Sequence, residues 1–146
     1  MKILVTGGSG FIGSNLIKKL VKLDFEIESI DNYSIGSKKN HIKGVVYHNM
    51  DINKIDKLEN SFDLIFHLAG LSRIQPSFEN PKETFLSNTS GTEAILEWSR
   101  SFNSKIVYSG SSSRHHNPYK SPYALYKYLG EEICKMYRET FKTNIE

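Results

Sequence analysis

The stretch that most constrains this chain is Thr6-Gly7-Gly8-Ser9-Gly10-Phe11-Ile12-Gly13, because of what stands on either side of it. Before it, Lys2 to Thr6 is a short apolar, β-branched run that reads as a strand. After it, Phe11, Ile12, Leu16, Ile17, Leu20, Val21 and Leu23 recur at helical spacing. Gly7 can take the positive φ of a tight turn between the two. With no side chain at Gly10 the backbone can approach a pyrophosphate closely, while Gly13 lets the helix pack near the strand. The free N–H groups of Phe11 and Ile12 then face an anion at the positive end of the helix.

The rest of the chain continues the alternation. Glu26 to Ile30, Val45 to His48, Leu64 to His67 and Lys105 to Ser109 read as further strands. Thr84 to Phe102 carries Phe85, Leu86, Ile95, Leu96 and Trp98 as one long helix, and Tyr123 to Phe141 carries another, opened by the helix-start pair Ser121-Pro122. The pattern predicts an α/β fold, a Rossmann-like doubly wound parallel sheet of about five strands with helices on both faces and right-handed crossovers. After the last helix come only Lys142 to Glu146, where a sixth strand would normally follow.

The 146 residues fit one domain, 1–146, which can bury roughly two thirds of the surface its unfolded chain exposes. The single Cys134 reads as a core thiol in a reducing compartment. The N-terminal run is broken by glycines too soon for a signal peptide, and no apolar run approaches the roughly eighteen residues that span a bilayer, so a cytoplasmic protein without a membrane partner is expected. A net charge of +3 on scattered lysines does not demand nucleic acid, and Lys18-Lys19 and Lys38-Lys39 read as solvated faces.

Asp31 closes the second strand about twenty residues beyond the glycine turn, where an acid accepts hydrogen bonds from the adenosine ribose hydroxyls. A carboxylate there would repel a 2′-phosphate and so favours NAD, with Lys38 and Lys39 keeping NADP as the alternative.

Taken together and in order, these residues resemble the extended short-chain dehydrogenase/reductase family, especially its nucleotide-sugar epimerases and dehydratases. The resemblance spans nearly the whole chain: the glycine turn, Asp31-Asn-Tyr-Ser-Ile-Gly36, Asp51-Ile52, His67-Leu-Ala-Gly70, Asn88-Thr-Ser-Gly-Thr92, the serine run at 109 to 113, and Tyr123-Ala-Leu-Tyr-Lys127. It implies that Asn32, Ser34 and Gly36 join Asp31 around the cofactor and that Asp51 and Ile52 hold the adenine. It likewise implies that Leu68, Ala69 and Gly70 line the pyrophosphate and ribose side. His67 reads as a satisfied strand-end histidine and Asn88 as a structural residue of its helix.

Tyr123 and Lys127, four residues apart, share a helix face near its N-terminal end. An ammonium beside a phenol favours phenolate, and bringing a tyrosine from a pKa of about 10 to near 7 requires roughly 4 kcal/mol of differential stabilisation. The resemblance implies that the tyrosine removes a sugar hydroxyl proton while hydride passes to the nicotinamide, that the lysine also holds the nicotinamide ribose, and that Ser111 steadies the reacting oxygen. Ser112 and Ser113 are its neighbours. Tyr126 is expected to pack away from the Lys127 face, Tyr119 to lie in a loop, and Arg73 to be a solvated loop residue within reach of a phosphate.

The sequence also departs from the family. Arg114-His115-His116-Asn117 replaces the usual Val-Tyr-Gly after the serine run, the loop from Ser113 to Ser121 looks short, and adjacent histidines without clustered ligands give no metal site. Most members of that family continue through a sixth strand and a C-terminal substrate domain, and this chain is expected to lack them. The fifth strand is therefore expected to leave an uncovered edge, closed by a homodimer or a partner chain. The expected activity is that of an NAD-dependent nucleotide-sugar epimerase acting on a UDP-sugar, since no acid stands in the serine run to serve a dehydratase. The alternative is an NAD(H)-binding module without catalysis, and a general alcohol or steroid reductase is a third reading.

Overall fold

The computed structural model describes residues 1–146, the side chain of Arg114 excepted. Five strands, β1 (Lys2–Thr6), β2 (Glu26–Asp31), β3 (Val46–Asn49), β4 (Leu64–His67) and β5 (Lys105–Tyr108), form one sheet in the order β3-β2-β1-β4-β5. Every pairing is parallel, with Thr6 of β1 opposite Ile30 of β2 and His67 of β4. The strand order reverses between β1 and β4, and in a doubly wound sheet the crevice for a ligand opens at that reversal, beyond the carboxyl ends of the strands.

The two faces follow from the strict alternation of side chains along a strand. Ile3, Val5 and Ile27 turn to one face and are covered by α1 (Phe11–Leu20) through Ile17 and Leu20. Leu4, Ile30, Ile65 and Ile106 turn to the other, where Ile95, Leu96, Cys134 and Tyr137 meet them. Those four come from α4 (Gly91–Ser99) and α5 (Pro122–Phe141). Each fully buried Leu or Ile here contributes about 1.5–3 kcal/mol of transfer free energy. Cys134 is a core thiol as expected, and burial pushes its pKa up to about 12.

Two features differ from the sequence reading. The single helix expected over 84–102 starts at Pro81, ends at Ser99 and is interrupted: α3 (Pro81–Phe85) passes through a π-helical turn, Leu86–Ser90, into α4. The extra residue of that turn accompanies a side-chain task, because Asn88 reaches across to accept from Leu71 N (2.7 Å) and donate to Leu71 O (2.9 Å). A short helix, α2 (Ile74–Glu79), precedes this rod.

The second difference concerns the expected open edge. Residues 144–146 lie parallel to β5, with Ile106 N donating to Asn144 O, Tyr108 N to Glu146 O and Glu146 N to Ile106 O. Ile145 is buried among the core residues. The β5 edge is thus paired by the chain's own last residues, where the pattern of five short strands predicts a bare one. No helix is long and apolar enough to cross a membrane among the described residues.

Candidate functional site

The glycine turn closes at the carboxyl end of β1. Gly7 adopts φ +72°, donates to Ile30 O (2.7 Å) and lies so close to the β4 exit that a Cβ would stand 2.9 Å from Ala69 N. Gly10 donates to Gly7 O and forms the extended N-cap of α1, which no side chain caps and whose first turn holds no acid. The N–H groups of Phe11, Ile12 and Gly13 therefore open the helix without an intrahelical acceptor, which is the arrangement that binds anions. The side chains of Phe11 and Ile12 are 83% and 64% exposed, so what faces the cleft here is backbone. A Cβ on Gly13 would stand 2.3 Å from Gly7 O, so this glycine lets the helix close onto the turn itself, where proximity to the strand was expected.

A cleft of about 450 Å³ runs from this turn along both sides of the strand-order reversal. Its walls include Gly7, Gly10, Phe11, Ile12, Gly13, Asp31, Asn32, Ser34, Gly36, Asp51, Ile52, Leu68, Ala69 and Gly70, so every residue expected around the dinucleotide, Tyr123 and Lys127 apart, lies on it. Asp31 accepts from Ser9 N (2.9 Å) and Tyr33 N (2.8 Å), which ties the turn to the loop after β2. Gly36 sits against that carboxylate, a Cβ there being 2.9 Å from both oxygens. Asp51 accepts from Asn53 and from Asn32 Nδ2 (3.2 Å). Partial burial works to raise its pKa, but these bonds outweigh it and hold the carboxyl below its ordinary value. Lys38 and Lys39 are exposed, and the Lys38 ammonium lies 5.5 Å over the Tyr33 ring. Arg73 is exposed on the rim.

The far wall is held by a buried chain of hydrogen bonds. Thr92 Oγ1 donates to Asn88 O (2.8 Å), so it accepts from His67 Nε2 (3.3 Å). His67 Nδ1 is then the acceptor for the Thr6 hydroxyl (2.8 Å), and Thr6 Oγ1 accepts in turn from Leu68 N (3.2 Å) and Ala69 N (3.0 Å). Burial, helped by the Lys127 charge, lowers the His67 pKa to about 3 and keeps the ring neutral, the satisfied strand-end histidine that was expected. Asn88 acts on the loop at Leu71 more than on its own helix.

Tyr123 stands in the first turn of α5, where Ser121 Oγ accepts from Ala124 N (3.1 Å) and Pro122 occupies the first helical position. Its phenol lies 3.5 Å from Ser111 Oγ, at the outer limit of a hydrogen bond, and Ser111 Oγ lies 2.8 Å from Ser113 Oγ. Lys127 Nζ donates to Ser109 O (2.5 Å) and sits 4.5 Å over the Tyr108 ring. Burial lowers its pKa to about 8, against an opposing pull from Glu131. The spacing thus brings Tyr123 and Lys127 to one end of β5, although the ammonium is bonded to the Ser109 carbonyl just past the strand and not to the phenol. Neither residue is among those lining the dinucleotide cleft.

Tyr126 packs edge-on against Phe85 (5.4 Å between ring centroids), and Tyr119 is 79% exposed in a short 3-10 turn. In the 114–117 departure the Arg114 side chain lies outside the described residues. Among the described residues no group of three His, Cys, Asp or Glu is placed to hold a metal ion. The sequence reading missed Glu131, which is buried and accepts from Ser111 N (2.9 Å). Its signal was available: an acid four residues beyond Lys127 on the helix stripe that also carries Cys134.

The NAD dependent epimerase/dehydratase family matches residues 3–145. A bifunctional UDP-glucose 4-epimerase and UDP-xylose 4-epimerase of Pisum sativum is 34% identical over 83% of this chain and 39% of its own length. The UDP-glucose 4-epimerase of Thermotoga maritima, solved with UDP-glucose, superposes with a TM-score of 0.92 at 25% identity, covering 99% of this chain and 53% of the other. WbmF of Bordetella bronchiseptica, solved with NAD+, superposes at 0.88 and 28% identity, covering 99% and 47%. The chain spans about half the length, or less, of the relatives it matches.

Proposed function

The chain belongs to the NAD dependent epimerase/dehydratase family, and from that membership and the geometry of its cleft we propose that residues 1–146 form the NAD-binding domain of a nucleotide-sugar epimerase acting on a UDP-sugar. The observation that carries the reading is the uncapped start of α1, folded against Gly7 by Gly13 and facing a cleft whose other wall bears the Asp31 carboxylate.

NAD is the family's cofactor, and the residues present fit it. The amides of Phe11, Ile12 and Gly13 would hold the diphosphate, and Asp31, with two oxygens already oriented by Ser9 and Tyr33, would accept from the adenosine ribose. Asn32, Ser34 and Gly36 would hold that ribose and Asp51 and Ile52 the adenine, with Leu68, Ala69 and Gly70 on the opposite wall of the cleft that all of them line. When bound, the nicotinamide supplies the hydride acceptor and donor. Tyr123 Oη takes the proton of a sugar hydroxyl and returns it, Ser111 Oγ holds the same oxygen, and Lys127 provides the neighbouring positive charge. Removal of a proton by a phenol is helped by that charge because it stabilises the phenolate.

Residence in the cytoplasm and association with a second copy or a partner chain belong to the same reading. The exposed Phe78, Phe85, Leu86, Met136 and Phe141 support association, whereas the paired β5 edge removes its first motive. A monomer in light scattering at high concentration counters it. A second reading, an NAD(H)-binding module without catalysis, is favoured by one observation: the Lys127 ammonium is bonded to the Ser109 carbonyl and not to the Tyr123 phenol.

NADH fluorescence titration tests both readings, since loss of saturable binding by folded protein removes the common premise. Turnover of a panel of UDP-sugars separates them. The enzymatic reading expects activity in the wild type that falls at least about a hundredfold in Tyr123→Phe while NADH binding persists. Equal inertness of both proteins leaves the binding module.

A further inference from the structure

Tyr123, Lys127 and Glu131 follow one another at intervals of four along α5 and so share one stripe. Glu131 is only 9% exposed, in a place where a carboxylate is costly unless it is bonded or paired. Its Oε1 accepts the N–H of Ser111 at 2.9 Å, and Ser111 is the residue whose Oγ stands 3.5 Å from the Tyr123 phenol. Gly110 permits the approach, since a Cβ at that position would lie 2.8 Å from Glu131 Oε1. One turn earlier, Lys127 Nζ donates to Ser109 O. The helix therefore grips the exit of β5 at two rungs, Ser109 and Ser111, on either side of Gly110.

We propose that Glu131 is a positioning residue for the Tyr123, Lys127 and Ser111 group: it fixes the Ser111 backbone opposite the phenol and serves as the buried counter-charge of Lys127. This rests on the reading of that group as the acid/base centre. The charge balance around Lys127 agrees. The groups that act on it are Glu131 and Cys134 from its own helix, the Tyr108 ring from β5, the Ser109 carbonyl just past that strand, and the neutral His67 from β4. The Cys134 thiol is pushed up to about 12 and stays uncharged, so Glu131 is the carboxylate that opposes the desolvation of the ammonium.

The test is an NMR titration of the full chain carrying 13C-labelled lysine, with the Lys127 signal assigned by its loss in Lys127→Met, together with hydrogen exchange at the Ser111 amide. In wild type the Lys127 midpoint is expected near 8. In Glu131→Gln, whose amide oxygen still accepts from Ser111, the midpoint falls by about one pH unit and Ser111 stays protected. In Glu131→Ala the midpoint falls equally and Ser111 exchange quickens at least about tenfold. Glu132→Gln, which removes only a surface pair with Lys135, moves neither. An unmoved Lys127 midpoint in natively folded Glu131→Gln overturns the proposal, and this variant decides the matter even if the alanine protein fails to fold. UDP-glucose turnover, measured in parallel, keeps the two readings apart. An inert wild type whose midpoint still falls in the Gln variant refutes the enzymatic reading alone. An active wild type with an unmoved midpoint refutes the role of Glu131 alone.

Discussion

His67 joins the cleft wall to the helical layer behind it, and its titration offers a quantitative test of that wall. The ring is fully buried, bonded to Thr6 and Thr92, and its pKa is lowered from 6.5 to about 3. A base with a depressed pKa stabilises the fold in its neutral form. Its contribution is complete above the unfolded value of 6.5 and is lost as pH falls from there towards 3, because the unfolded chain takes up a proton that the fold refuses. Between about pH 7.5 and about pH 5 the loss is about 2 kcal/mol, worked from 1.36 kcal/mol per pH unit over the interval below 6.5. That figure barely changes if the folded value is one unit higher. It corresponds to about 1 M in the urea midpoint for a chain of this size.

The assay is urea unfolding of wild type and His67→Asn at both pH values. All other ionisable groups are common to the two proteins, so their contributions cancel in the difference. The variant is expected to be less stable by about 2–4 kcal/mol near neutrality, having lost a buried ring and its bonds. At the acid pH the gap should narrow by about 2 kcal/mol. A gap that stays the same at both pH values would refute the buried, neutral imidazole and with it the tautomer that aims Thr6 at the Leu68 and Ala69 amides.

Two further perturbations probe the same cleft. Gly13→Ala places a Cβ 2.3 Å from Gly7 O, a backbone atom that cannot swing aside, so the turn must shift; about 1–3 kcal/mol of stability and at least about tenfold in NADH affinity should be lost, as read by urea unfolding and fluorescence titration. Asn88→Ala leaves the Leu71 N–H and carbonyl without their partner, and about 2–4 kcal/mol of stability should go with them, together with weaker NADH binding because Leu71 lines the cleft.

What could be read from the residues in order was whatever a few neighbouring positions decide. The turn at Gly7, the uncapped start at Phe11, the Ser121-Pro122 helix start and the alternation of Ile3, Leu4 and Val5 each depend on backbone geometry within one helical turn or two strand steps. Such signals survive in a linear text, and together they determined the strands, the sheet type and the place of the cleft. Tertiary structure alone decided the contacts between elements far apart in the chain. Asn88 reaching Leu71 accompanies the π turn, residues 144–146 come back to pair with β5, and Gly13 closes on Gly7. Lys127 spends its proton on Ser109, and Glu131 holds Ser111. Those outcomes depend on which side chains meet once the layers are packed at interior density, where a single Cβ or one extra helical residue changes the partner, and no local pattern carries that information.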